Sequence, residues 1–342
     1  MNEPVSDPAP NLNPPAAMRT WSGYLLVALK GMAMGAADVV PGVSGGTIAF
    51  ITGIYEELID AIRAIGGHGL RLVWRRDFAE AWRSIHGGFL VALGFGIVLS
   101  IATLSRVVLY ALNNHAEVLW AFFFGLVLGA VVVIAPQIRE RGLTQWAWAV
   151  GGAGLGFAVA SAVPVETPQQ LPFIFVSGAI AICAMILPGV SGSFILVLLG
   201  KYEYVLSAVK AAQYDVLLAF MAGCAVGLLA FSHVLAWLFR RFHDATVALI
   251  VGFLVGSLPK IWPWKQTLQS YVDRHGLEKP LVQRNVSPWQ YPELTGNEPS
   301  LALAIVGSLL GFILVVGIDR RNKRLRSEAA TDVTASRSDD LR

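Results

Sequence analysis

Charge is scarce in this chain. Only 14% of its 342 residues are Asp, Glu, Lys or Arg, against about 25% in an ordinary soluble domain, while 55% are hydrophobic. So little polar surface cannot cover so large an apolar content in water, which excludes a typical soluble globular fold. Cysteine is nearly absent as well. Cys183 and Cys224 both lie in apolar runs, and two such residues provide neither a disulfide framework nor a cysteine metal site. Residues 1–20, rich in Pro and Asn, lack a basic stretch leading into an apolar core, so they read as a disordered tail and not as a cleaved signal. The net charge of +3 is small and dispersed over loops, which fits membrane topology and not a nucleic-acid partner. No cofactor motif is present.

What the chain does have is long apolar runs. Crossing a hydrocarbon core of about 30 Å takes roughly 20 apolar residues in a helix. Segments 88–112, 116–136, 145–163, 214–239 and 300–318 meet that length, and 245–259 is a shorter sixth. The expected fold class is an all-α polytopic membrane protein.

The chain also repeats itself. PGVSG occurs at Pro41–Gly45 and again at Pro188–Gly192. Around it, GMAMGAADVVPGVSGGTIAFITGIYEELIDAI (31–62) pairs with GAIAICAMILPGVSGSFILVLLGKYEYVLSAV (178–209), sharing Gly31/Gly178, Gly53/Gly200, Tyr55/Tyr202 and Glu56/Glu203. Further on, a shorter offset aligns Gly96 with Gly223, Ser105 with Ser232, and the pair Gly125/Gly129 with Gly252/Gly256. The two halves, 21–163 and 172–318, therefore differ by an insertion at 63–88. There Leu70, Trp74, Phe78 and Trp82 share one helical face, apart from Arg71, Arg75, Arg76 and Arg83, as in a helix lying on the membrane surface. Residues 319–342 form a charged tail.

Each half is expected to be a helical hairpin folded at PGVSG followed by three spanning helices. Three crossings is an odd number, so the second half is inverted. With an inside N-terminus, Arg63–Arg83, Arg139/Arg141, Arg240/Arg241 and Arg320–Arg326 all fall inside, as the positive-inside rule requires. The loop at 260–300 falls outside despite its basic residues, and loops of that length cross largely regardless of charge. A re-entrant hairpin is favoured over a spanning one, because irregular backbone survives at membrane depth only where protein or a watery cavity satisfies it.

The chemistry centres on the two turns. In PGVSGGT, Gly42, Gly45 and Gly46 permit close backbone approach, while Ser44 and Thr47 bring hydroxyls to the start of the next half-helix. Gly189, Ser191, Gly192 and Ser193 do the same in the second copy. Paired broken helices with their N-termini near the midplane are a recurrent way to bind an anionic substrate. The plain alternative is two structural kinks.

Asp38, replaced by Met185 in the second half, is an intramembrane carboxylate that either couples transport to protons or bonds the amides of its own hairpin. Glu56 and Glu203 either gate and relay protons or snorkel to the interface. Arg106, matched by His233, either forks onto a phosphate or reaches the interface, and Lys30 reads as a snorkelling lysine. Gly125/Gly129 and Gly252/Gly256 read as close helix packing. Gly42-Val43-Ser44-Gly45-Gly46 also fits the nucleophile-elbow pattern of serine hydrolases. An elbow needs a preceding strand, however, and a hydrolase has no use for two inverted copies.

The twin turns, in GAADVVPGVSGGTIAFITGIYEEL and LPGVSGSFILVLLGKYE, together with GFLVGSLPKIWPW (252–264), resemble the PopT family of undecaprenyl phosphate translocases over residues 22–318. The resemblance implies an inner-membrane, non-enzymatic carrier. It would return a polyprenyl phosphate from the outer to the inner leaflet for reuse in envelope synthesis, with the two hairpin motifs as its site. A secondary transporter of a small soluble anion is the reading that the residues alone leave open, and a coupling proton or ion remains open beside it.

The topology is testable with single cysteines placed at Arg75 and at Glu166. In intact cells an impermeant thiol reagent should label only the second, and equal labelling of both would sink the orientation.

Overall fold

The computed structural model describes residues 20–40, 43–69, 72, 74–140, 142–272 and 278–339. The N-terminal segment expected to be a tail lies almost wholly outside them, as do Pro41, Gly42 and Leu70. Helix α1 (Trp21–Asp38) is followed by a short α2 (Gly45–Ile51) that packs back against it, and then by α3 (Tyr55–Ala64). The second half repeats the arrangement with α9 (Leu171–Ile186), α10 (Gly192–Leu198) and α11 (Tyr202–Lys210), α10 again folding back on α9. Each returning arm has seven residues. At 1.5 Å per residue that is about 10 Å, a third of a hydrocarbon core. Both arms end where Gly53 (φ 71°) and Gly200 (φ 62°) adopt left-handed backbone, the physical reason this glycine is common to both copies. Beyond Gly200 the chain turns through 104° into α11.

The insertion is not one amphipathic helix. Arg76 takes a left-handed conformation (φ 60°), and α4 (Phe78–Ser84) starts afresh with Asp77 accepting from the Glu80 amide at 3.2 Å. Trp74, Phe78 and Trp82 are nevertheless all exposed, as the surface-lying reading requires. The expected span 88–112 is likewise divided. Helix α5 (Gly87–Thr103) meets α4 at 62°, and α6 (Ser105–Asn114) begins after a break at Leu104. Beside that break the Thr103 hydroxyl donates to the Leu99 carbonyl at 2.6 Å, a back-bond that bends helices.

The remaining long helices are α7 (Ala116–Ile134), α8 (Leu143–Ala160), α12 (Tyr214–Arg241), α13 (His243–Ser257) and α15 (Leu301–Asp339), the last running through most of the expected charged tail. Among the described residues four helical segments are long and apolar enough to cross a membrane, or six if each of two bent pairs is counted as one. One departure from an all-helical chain lies in the 260–300 loop. Strands β1 (Lys265–Val272) and β2 (Glu278–Asn285) pair antiparallel, from Lys265 opposite Asn285 to Val272 opposite Glu278, and α14 (Tyr291–Thr295) follows. Trp264 anchors this cap, donating from Nε1 to the Pro299 carbonyl at 2.8 Å and packing with Val286, Tyr291, Ala121 and Ala304.

Equivalent helices make equivalent pairs. α1 packs on α5 as α9 packs on α12. Then an exchange occurs: α7 packs on α15, and α13 packs on α8, so the last helix of each half lies against the other half. Small residues make these contacts. A Cβ on Gly125 would collide with the Ser308 carbonyl, and one on Gly252 with the Ala149 carbonyl. Gly152/Gly156 and Gly307/Gly311 form two further four-residue glycine pairs on the facing helices. Lipid is as apolar as leucine, so close packing of this kind is what holds membrane helices together. The outer faces stay apolar and exposed, as along Val91, Phe95 and Val98 of α5 and Leu303, Leu310 and Ile313 of α15.

Gly125→Val and Gly252→Val should each overpack their contacts and destabilise the protein by about 1–3 kcal/mol, read as a lower Tm in detergent. Gly151→Ala, with nothing within 4 Å of its added Cβ, should leave Tm unchanged. Wild-type Tm in both valine variants would show that these helices do not touch there.

Candidate functional site

The two turns meet. Ser44, fully buried, donates its one hydroxyl proton to the Met185 carbonyl at 2.9 Å, shared with the Leu187 carbonyl at 3.3 Å, at the end of α9. As N-cap of α2 the same oxygen accepts the Gly46 amide at 3.1 Å. Thr47 reaches the second turn in the other direction, its hydroxyl accepting the Gly189 amide at 2.9 Å. A Cβ on Gly46 would collide with the Ile186 carbonyl, so the first turn lies directly on the second. These bonds tie segments more than 140 residues apart in sequence.

The two copies differ in how they use their donors. In the first, Asp38 Oδ1 accepts the Gly45 amide at 2.7 Å, so the hairpin carries its own anion. This is one of the two roles left open for Asp38, and it engages the amide expected to face a substrate. In the second, Met185 supplies no carboxylate. Among the described residues no acceptor lies on the Gly192 or Ser193 amides, and the hydroxyls of Ser191 and Ser193 bond each other at 2.7 Å. The Gly45 and Gly46 amides are therefore committed in the first turn, whereas in the second the Gly189 amide is taken by Thr47 and those of Gly192 and Ser193 are open among the described residues.

The outlying candidates are not gathered here. Arg106 is exposed near the start of α6, a helix that packs on α5 and α7. Glu56 is exposed on the first turn of α3, while Glu203 lines a cavity of about 320 Å³ with Glu166, Tyr202 and Gly200. Lys30 donates to the Thr52 carbonyl at 2.8 Å, clamping the end of α2. His233, the one base available to a serine hydrolase, is exposed and bonds the Leu229 carbonyl of its own helix at 2.7 Å. Ser44 spends its proton on carbonyls, and no group of His, Cys, Asp and Glu among the described residues is arranged to hold a metal.

Sequence reasoning missed two lysines. Lys201 is buried at the end of the second returning arm and donates to the Thr167 carbonyl. Lys260, in the short 3₁₀ turn after α13, places Nζ 3.8 Å from the centre of the Phe194 ring, one residue beyond Ser193. The signal was a lysine inside an apolar run, in LLGKYE and SLPKIW.

Comparison with known proteins identifies the family. Residues 34–279 match the family described as VCA0040-like, undecaprenyl phosphate translocase-like. The polyprenyl-phosphate transporter of Vibrio cholerae serotype O1 is 48% identical over 297 residues, 87% of this chain and 96% of the relative. The polyprenyl-phosphate transporter of Staphylococcus aureus is 32% identical over 254 residues, covering 69% of this chain and 85% of the relative. No solved structure matches the chain significantly. On its sequence match over most of its length, this multi-pass membrane protein belongs to the undecaprenyl phosphate translocase-like family.

Proposed function

We propose that the protein carries undecaprenyl phosphate, or a similar polyprenyl phosphate, from the outer to the inner leaflet of the bacterial cytoplasmic membrane, for reuse in envelope polymer synthesis. It is a transporter and not an enzyme. The observation that carries the reading is the likeness to two polyprenyl-phosphate transporters, one of them matched over 87% of this chain and the other over 69%, and the meeting of the two turns supplies the polar centre that such a carrier needs.

The energetic problem is the phosphate, since a bare charge at the bilayer centre costs several kcal/mol or more. Fixed amides and hydroxyls replace its water without reorganising, while the polyprenyl chain stays in lipid against the exposed apolar helices. We read the chain as two inverted repeats with re-entrant hairpins and both termini in the cytoplasm. The seven-residue returning arms and the matched helix pairs support that reading. The phosphate is held chiefly by the second turn, at Ser191, Gly192 and Ser193, with Gly189 fixed beside them by its bond to Thr47. Ser44, Gly45, Gly46 and Thr47 form the wall that holds it in place, and Gly42 lies outside the described residues. Arg106, exposed and apart, attracts the headgroup at the interface. Asp38, Glu56 and Glu203 remain the groups through which a proton or ion would couple.

Purified protein in liposomes should move a phosphorylated polyprenol between leaflets and leave free phosphate outside; the reverse result would establish a soluble-anion transporter. The double variant Ser191→Ala/Ser193→Ala should fold normally and transport at least about tenfold more slowly, since a hydrogen bond to a charged group is worth roughly 1.5–3 kcal/mol. Ser44→Ala should instead lose folded yield, because it breaks the bond between the turns. Wild-type transport by the double variant would move the site elsewhere.

A further inference from the structure

The motif GSLPKIWPWK (256–265) is unused by the two-turn site as described so far, yet it lies against both ends of the second turn. Ser257 Oγ is 3.0 Å from where a Cβ on Gly189 would stand. Three residues later the 3₁₀ turn swings Lys260 over Phe194 at 3.8 Å, so Lys260 flanks the open end of the turn as Ser257 flanks its start.

Among the described residues no carboxylate lies within ion-pair distance of Lys260 or of Lys265. The neighbour they share is each other: Lys265 Nζ donates to the Lys260 carbonyl at 2.6 Å and stands 3.8 Å from the Trp120 ring centre. Burial pushes the Lys265 ammonium well below its usual range, and the positive charge of Lys260 adds to the effect. Aromatic faces offset part of the cost of removing a cation from water, but a half-buried ammonium without an anion remains unfavourable. Two such lysines, five residues apart in a helical membrane protein, set the Lys260 ammonium beside a Lys265 side chain held toward its neutral amine, with no carboxylate among the described residues in ion-pair distance of either.

Lys265 can be reached from the polar side. Lys265 lines a cavity of about 360 Å³ with Trp120, Gln266, Thr267 and Gln283, beneath the β hairpin. Glu117 lines the same cavity, where it accepts the Tyr291 hydroxyl and stands beyond ion-pair distance of Lys265.

We propose that Lys260, backed by Lys265, is the group that receives the phosphate monoester of the lipid and delivers it to the Ser191/Ser193 turn. The assignment rests on the polyprenyl-phosphate reading above. The first turn has no equivalent cation requirement, because Asp38 already occupies its Gly45 amide. Lys260 therefore gives the carrier a phosphate-accepting end that the repeat alone does not supply.

The test is binding of farnesyl phosphate, of farnesol and of inorganic phosphate to full-length protein in detergent, followed by tryptophan fluorescence. Lys260→Gln should weaken farnesyl phosphate binding at least tenfold, Lys260→Arg should stay within about threefold of wild type, and farnesol should bind all three proteins equally. Lys260→Met keeps the stem over Phe194 without the charge, and it carries the comparison should the Gln variant fold poorly. Wild-type affinity for farnesyl phosphate in folded Gln or Met variants would overturn the assignment. If wild type ignores farnesyl phosphate but binds inorganic phosphate through Lys260, the lysine's role as anion receiver stands and the lipid reading falls.

Discussion

Everything in this structure depends on closing two irregular turns against each other where there is no water to satisfy them. A helix broken in the middle of a membrane leaves amides and carbonyls exposed, each costing several kcal/mol in hydrocarbon. Here the breaks satisfy one another. Ser44 fills the carbonyls that α9 leaves open at Met185 and Leu187, and Thr47 takes the Gly189 amide. Each hairpin therefore completes the other, and neither is stable as irregular backbone alone. That mutual need explains why the motif occurs twice in one chain, and why its small residues are fixed by collisions with carbonyls such as Ile186 O.

The exchange of the last helices serves the same end. If α8 and α15 stayed with their own halves, the halves would be joined chiefly by the bonds between the turns and by the smaller contacts of α3 with α12, α7 with α13 and α2 with α9. Crossing over, α15 packs on α7 and α8 on α13, each through facing glycine pairs, so the halves are joined along whole helices. The polar centre is then clamped from both sides by contacts that need no hydrophobic drive. A core that includes Val43, Ile48, Ile186 and Leu254 closes over the junction. On the proposed reading, the lipid chain runs outside this clamp and only the headgroup enters it.

Much of this was legible in the sequence because repetition is a long-range signal. Twin PGVSG copies with their flanking Gly, Tyr and Glu residues give the hairpins and their partnership without any contact information. The glycine pairs at 125/129 and 252/256 announce close packing, though not the partners; Gly152/Gly156 and Gly307/Gly311 were there to be matched at a third offset. Other features were hidden for physical reasons. The break at Leu104 comes from a threonine back-bond inside an apolar run, where hydropathy stays high. The β hairpin is short and polar, and alternation over KQTLQSYV is weak beside the helical pattern of the rest. That the first turn's donors are spent required coordinates, since Asp38 seven residues before Gly45 reads equally as a free acid or as a cap.

The difference between the turns bears on direction. Two equivalent anion sites in inverted halves would present the same affinity to either leaflet, and exchange between them would be symmetric. Asp38 removes that equivalence. A phosphate approaching Gly45 meets a carboxylate already 2.7 Å from the amide, so repulsion adds to the loss of an occupied donor. At the second turn the same positions hold Met185, two open amides and a hydroxyl pair, with Lys260 alongside. On the proposed reading the phosphate is therefore drawn to the second turn and excluded from the first while Asp38 keeps its charge. On the same reading, a proton on Asp38 would weaken both the repulsion and the hold on Gly45, so that among the three proposed coupling groups Asp38 is the one whose charge bears directly on the phosphate site.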